Sequence, residues 1–128
     1  MQTHRLNATW PFQALGDETR FRLMRVLSSH GTCCTAGDLA RALEKPVAHL
    51  SRHIQVLQVA ELVRVDRRGS WHDISVSTHH SAVNSLCAAV LAMPDTEGVF
   101  AGDLQRLLVL GVRREATEDP PADASGLL

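Results

Sequence analysis

The stretch TAGDLARALEKPVAHLSRHIQVL, residues 35–57 of this 128-residue chain, specifies two consecutive helices. Thr35, followed three residues later by Asp38, opens it as a helix capping box, and Ala36, Leu39, Ala40 and Leu43 then recur at helical spacing on one face. Only Glu44 and Lys45 intervene before Pro46, whose missing N–H is harmless in the first turn of a helix. From there Val47 or Leu50, with Ile54 and Leu57, gives a second apolar face. Two short amphipathic helices joined so tightly predict a helix-turn-helix.

Upstream, Gly16-Asp17-Glu18-Thr19 reads as a helix start, with Asp17 placed to accept from orphan backbone N–H groups and Phe21, Leu23, Met24 and Leu27 as the buried stripe. Downstream, the valines at 63 and 65, the turn Arg67-Arg68-Gly69-Ser70, and Trp71, Ile74 and Val76 predict a β-hairpin with a basic tip. Thr78 is expected to cap a further helix whose stripe is Val83, Leu86, Cys87 and Val90 and which Pro94 stops. A last helix carries Phe100, Leu104, Leu107 and Leu108 and is expected to end near Gly111. From Arg113 the chain turns polar and contains Pro120-Pro121, so the expected division is a folded domain over 1–112 and a disordered acidic tail over 113–128.

The composition fits one compact domain: 45% of residues are hydrophobic and 21% charged. No apolar run approaches the length of a membrane span, and the N-terminus lacks the apolar stretch of a secretory signal, so a cytoplasmic protein is expected. Three cysteines, two of them adjacent, do not make a disulfide framework. The net charge is −1, yet between Lys45 and His72 five cations (Lys45, Arg52, Arg64, Arg67, Arg68) face only Glu61 and Asp66, with His49, His53 and His72 in addition. Positive charge is thus concentrated where a helix and a hairpin would meet phosphates. Neither a nucleophile elbow, nor a phosphate-binding glycine loop, nor a metalloprotease-type histidine pair is present, and no enzymatic activity is expected.

The order helix, helix, helix-turn-helix, basic hairpin, helix is that of a winged helix. LGDETR at 15–20, Asp38-Leu39-Ala40, the SRHIQVL run at 51–57, Leu62-Val63 and the wing RRGSW at 67–71 resemble, over residues 11–93, the ArsR/SmtB family of bacterial repressors. The resemblance implies a mainly α winged helix-turn-helix with a small β-hairpin wing. It also implies a homodimer, with double-stranded operator DNA as partner, released when an inducer changes the dimer. Its recognition helix would present His49, Ser51, Arg52 and His53 to the major groove, and its wing Arg67 and Arg68 to the backbone. Pro46-Val47-Ala48-His49 departs from the Ser, Gln and Thr with which the family's recognition helix usually begins, trading hydrogen-bonding side chains for ones suited to thymine methyl groups. The competing class is a winged helix used only as a protein-interaction module.

Arsenic-sensing members of that family use thiolates near the corresponding helix start, which makes Cys33, Cys34 and Cys87 the candidate ligands for As(III) or another thiophilic ion, or the targets of an oxidant. Packing is the alternative, since Cys34 precedes the capping box where a small apolar residue would fit and Cys87 lies on an apolar stripe. His79 and His80 stand where zinc-sensing members begin their site, but Val83 to Met93 supplies no further His, Asp or Glu. The helix from Thr78 to Met93, with the segment around Trp10 to Leu15, is the expected two-fold interface.

Overall fold

The computed structural model describes residues 7–78 and 80–117, with side chains as far as Gly111. The chain folds as α1 (Trp10–Leu15), α2 (Glu18–His30), β1 (Cys34–Thr35), α3 (Ala36–Leu43), α4 (Val47–Val59), β2 (Val63–Arg68), β3 (Trp71–Val76), α5 (Ser81–Ala92) and α6 (Val99–Thr117). The architecture is mainly helical with a small antiparallel sheet, in strand order β1-β3-β2, as a winged helix-turn-helix requires. β1 was not foreseen. Two residues of the cysteine segment pair with the inner wing strand, Cys34 opposite Ile74 and Thr35 opposite Asp73, a contact too short for alternation to signal.

Local chemistry sets the element ends. Asp17 accepts from the Arg20 N–H at 3.1 Å and starts α2, and Thr35 Oγ1 accepts from the Asp38 N–H at 3.2 Å and starts α3. α3 ends on Glu44 in the left-handed region, φ 57°, where the Lys45 N–H bonds back to the Ala40 carbonyl. Pro46, extended, then leads into α4. The helix-turn-helix turn is therefore three residues long. α4 closes the same way, with Glu61 at φ 61° and the Leu62 N–H on the Leu57 carbonyl. His80, rather than Thr78, stands at the cap of α5. At the start of α6, Asp95 accepts from the N–H groups of Phe100 and Ala101 at 3.1 and 2.9 Å.

Leu23, Leu27, Leu39, Leu43, Leu50, Ile54, Leu57, Leu62 and Ile74 meet in one core, each at 2% exposure or less. Each such side chain stabilises the fold by about 1.5–3 kcal/mol of transfer free energy, which fixes α4 on α2 and α3 by its inner ridge alone. α6 covers the other side of α2 and α3. It buries Leu107 and packs Phe100 on Phe21 with ring centroids 5.6 Å apart. The last helix thus serves the core of its own chain, and its backbone continues past Gly111 to Thr117. Residues 118–128, most of the expected acidic tail, lie outside the described residues.

Polar straps hold this arrangement. Arg22 donates to both oxygens of the buried Asp103 at 2.8 and 2.9 Å, and to the Leu43 carbonyl at 2.9 Å. Arg106 donates to Asp103 at 2.9 Å and to the Ala42 carbonyl at 2.6 Å. Two arginines thereby satisfy the last carbonyls of α3, immediately before the turn. Arg25 performs the same service for α5, donating to the carbonyls of Val90 and Met93 at 3.0 and 2.8 Å.

The stripe expected to form a two-fold interface on α5 needs correction. Val83 and Val90 are both 3% exposed within the single chain, because α5 packs on α2. Ala88, Leu91 and Ala92 stay exposed on the outer side of α5, and a separate apolar row is Ala82, the half-buried Leu86, Ala89 and the cap residue Met93. The spacing of that row puts it along one edge of the helix.

Candidate nucleic-acid interface

With Leu50, Ile54 and Leu57 turned inward, the opposite face of α4 presents Ala48, Arg52, Gln55 and Val59. Ser51 and Val47 lie half-buried on one flank, and His49 and His53 on the flank towards α1 and α2. Of the four candidates on this helix, Arg52 is the exposed one. His49 and His53 meet edge to face, with ring centroids 4.8 Å apart. His53 Nδ1 lies 3.1 Å from Arg20 Nη1, and the Asp17 carboxylate stands 3.8 Å from the same atom.

Those contacts set the local charge states. Burial pushes the His53 pKa below the usual imidazole value, reinforced by His49, Arg20 and Arg52 and opposed by Asp17. Burial also pushes the Asp17 carboxyl up. It is outweighed by the Arg20 N–H bond and by the charges of Arg20 and His53, which leave the group more acidic than an ordinary aspartate.

In the wing, β2 and β3 pair from Val63 opposite Val76 to Arg68 opposite Trp71, with Gly69 at φ 61° in the turn. The three wing arginines are not equivalent. Arg64 is paired with Asp66 at 2.9 Å, and Arg68 with Asp73 at 2.8 Å while lying over the Trp71 ring. Arg67 stays exposed beside the tip.

The cysteines separate. Cys33 is exposed, while its neighbour Cys34 is 4% exposed in β1, with Sγ 3.6 Å from His30 Nδ1 and 3.8 Å from the Thr32 carbonyl oxygen. Cys33 and the half-buried Cys87 line one groove of about 530 Å³ between the end of α2, β3 and α5, together with Leu27, Ser28, Val76 and Leu91. Ser28 Oγ is buried there and has no hydrogen-bond partner among the described residues. His80 bonds to Glu61 at 3.0 Å, and His79 lies outside the described residues. Among the described residues no three His, Cys, Asp or Glu side chains gather as a metal site.

A family model described as a helix-turn-helix domain matches residues 15–66, from the end of α1 into the first wing strand. An uncharacterized HTH-type transcriptional regulator of Methanocaldococcus jannaschii is 31% identical over 61 residues, 48% of this chain and 67% of that protein. With relatives named as arsenical resistance operon repressors beside these, the chain belongs to the ArsR family of helix-turn-helix transcriptional regulators. Arsenical resistance operon repressors of Escherichia coli K12 and Bacillus subtilis 168 are similar to this regulator as well. They are 34% identical over 68 residues and 33% over 60, covering 53% and 47% of this chain and 57% and 56% of theirs. These matches span from just over half to two thirds of the relatives' own lengths. No solved structure matches the regulator. The family is one of transcription regulators, not of enzymes, and among the described residues no helix is long and apolar enough to cross a membrane.

Sequence reasoning missed Arg20 and Asp17 as parts of this face. Both stand in the LGDETR segment, where Asp17 reads as a cap and Arg20 as an ordinary helix residue; nothing in their spacing announces a partner 33 residues away.

Proposed function

We propose that the protein is a homodimeric repressor that binds double-stranded operator DNA and lets go when its thiols react. The observation that carries the DNA reading is the exposed Arg52 on a helix whose opposite ridge is fully buried, next to a wing tip bearing Arg67. A helix so anchored enters a major groove without losing its own packing, and Arg52 has the reach and fork to read a guanine edge. His49 and Ser51 flank it. Arg67 and Arg68 contact flanking phosphates, Arg67 more strongly because Asp73 already neutralises Arg68.

Two exposed apolar surfaces favour a dimer: Phe12, at 65% exposure on α1, and the α5 edge of Ala82, Leu86, Ala89 and Met93. A single copy leaves both in water.

For the inducer, the groove supports Cys33 and Cys87 as the reacting pair, with Cys34 as a core residue. Two thiols without a third suit a thiol-reactive signal that needs two sulfurs, such as a trivalent arsenical or an oxidant. The relatives named as arsenical resistance repressors support the arsenical.

Selection of bound DNA from a random pool, followed by mobility shifts with arsenite, zinc, cadmium and peroxide, tests the whole reading. Arg52→Ala is expected to weaken operator binding by about 1–3 kcal/mol and relax preference at one position. Arg67→Ala is expected to weaken all sequences alike and flatten the salt dependence. Cys33→Ser or Cys87→Ser should abolish release, and Cys34→Ser should not. Binding without sequence preference, unchanged by Arg52→Ala, would leave the winged helix as an interaction module.

A further inference from the structure

Arg20 of α2 reaches in two directions. Its Nε donates to the Ala14 carbonyl at the end of α1 at 2.7 Å, and its Nη1 lies 3.1 Å from His53 Nδ1 on α4. A guanidinium has only donors, so the contact with His53 requires the lone pair of Nδ1, and the ring must carry its proton on Nε2. The His53 ring in turn meets that of His49, one turn nearer the start of the helix, edge to face.

We propose that Arg20 is a positioning residue for DNA reading, holding the histidine flank of α4 through the unprotonated Nδ1 of His53, so that operator affinity is coupled to the proton on that ring. The inference rests on the operator reading above.

The charged and titratable groups that face the ring are Asp17 and Arg20 from α2 and His49 and Arg52 from α4. α1 brings none, contributing the Ala14 carbonyl to Arg20 instead. Protonation of Nδ1 sets an N–H against an N–H across 3.1 Å. Asp17, at 3.8 Å on the same side, draws the charged ring away from Arg20. Either the ring turns towards Asp17 or Arg20 withdraws, and both outcomes move His49. The low pKa of His53 agrees with an environment built for the neutral ring.

The test measures operator affinity of the full chain between pH 5.5 and 7.5 at fixed ionic strength, for wild type, His53→Asn and Arg20→Gln. Asn places its amide oxygen where Nδ1 stands, so it accepts from Arg20 without titrating. The variant's own affinity at pH 7.5 serves as its reference, and the readout is how that affinity changes on acidification. On acidification, wild type is expected to lose about tenfold more affinity than His53→Asn, the scale of one charge-assisted hydrogen bond at a partly screened site. Arg20→Gln is expected to bind about tenfold more weakly at pH 7.5, to lack the proton-linked loss, and to keep the wild-type salt slope. A merely structural role would shift its affinity without removing the pH step.

Nitrogen NMR of the His53 ring in the unbound protein reads the tautomer directly and needs neither DNA nor a folded Arg20 variant. A proton on Nδ1 at pH 7.5, or a wild-type pH profile in His53→Asn, overturns the proposal. Failure of wild type to prefer any DNA sequence overturns the operator reading, and this inference with it. The two failures are distinguished because the ring spectrum still shows whether Arg20 holds Nδ1.

Discussion

Replacing Asp103 by Ala tests how the helix-turn-helix turn is held. Asp103 is 1% exposed and accepts three hydrogen bonds, two from Arg22 and one from Arg106. The bond to Asp103 raises the Arg22 pKa further, ahead of the opposing effect of burial, so Arg22 stays charged at any accessible pH. Truncation at Asp103 strands that cation with its side chain 10% exposed and only the Leu43 carbonyl left to receive it. Removing one partner of such a pair costs about 3–5 kcal/mol. Arg106 is 38% exposed and finds water, so its share is about 0–1 kcal/mol. Against a typical stability of about 5–15 kcal/mol, Asp103→Ala is expected to remove about a fifth or more. Urea unfolding at pH 7 should show this as a lower midpoint with an unchanged slope. The double replacement Arg22→Met with Asp103→Leu should recover most of the loss, because it removes the stranded charge along with its partner. A loss under about 1 kcal/mol in Asp103→Ala would refute the argument that this ion pair anchors α6 to the turn.

Glu44→Gly is expected to raise stability by about 1 kcal/mol, since Glu44 is exposed and holds a left-handed backbone that glycine adopts without strain; denaturant titration checks it. Leu86→Glu should give a monomer by light scattering and weaken operator binding, and a persisting dimer would move the interface elsewhere. Because the fold lowers the His53 pKa below its ordinary value of 6.5, the unfolded chain binds more protons just below that pH. The stability due to neutral His53 is therefore complete above about pH 7 and is lost as pH falls through 6.5 towards the folded value. Wild type should lose stability over that interval relative to His53→Asn, as urea midpoints at pH 5.5 and 7.5 would show.

The helix-turn-helix and the wing were legible because each is specified locally. The capping pair Thr35 and Asp38, the apolar spacing from Ala36 to Leu43 and from Leu50 to Leu57, and Gly69 between alternating apolar residues all act within one element. What escaped the sequence depends on contacts between elements. Arg22 and Asp103 are 81 residues apart, and Arg20 and His53 are 33 apart. The two-residue β1 is made by pairing with β3 and has no period of its own. The α5 stripe was read correctly as apolar, but periodicity says only that a face is buried, and here α2 of the same chain covers Val83 and Val90. Adjacent positions at Cys33 and Cys34 suggested joint chemistry, whereas entry into a strand sends one thiol inward and leaves the other in solvent.

These straps converge on one helix. Along α2, Arg20 holds the histidine flank of α4, Arg22 holds the last turn of α3 through Leu43 and Asp103, and Arg25 holds the end of α5 through Val90 and Met93. Arg25 also lies over the Phe100 ring of α6, 4.8 Å from its centroid. α2 is thus the common support of both helices of the DNA-reading motif and of the helix bearing Cys87. The groove shared by Cys33 and Cys87 lies against the C-terminal end of that support, at Leu27 and Ser28. A reaction that draws α5 towards Cys33 acts on α2 where α2 carries α5, and α2 carries the recognition helix from its other end. The proposed thiol chemistry would then reach the helix bearing Arg52 through α2 itself. Under the proposed thiol chemistry, the helix that makes the turn stable is also the element through which the groove would bias its position.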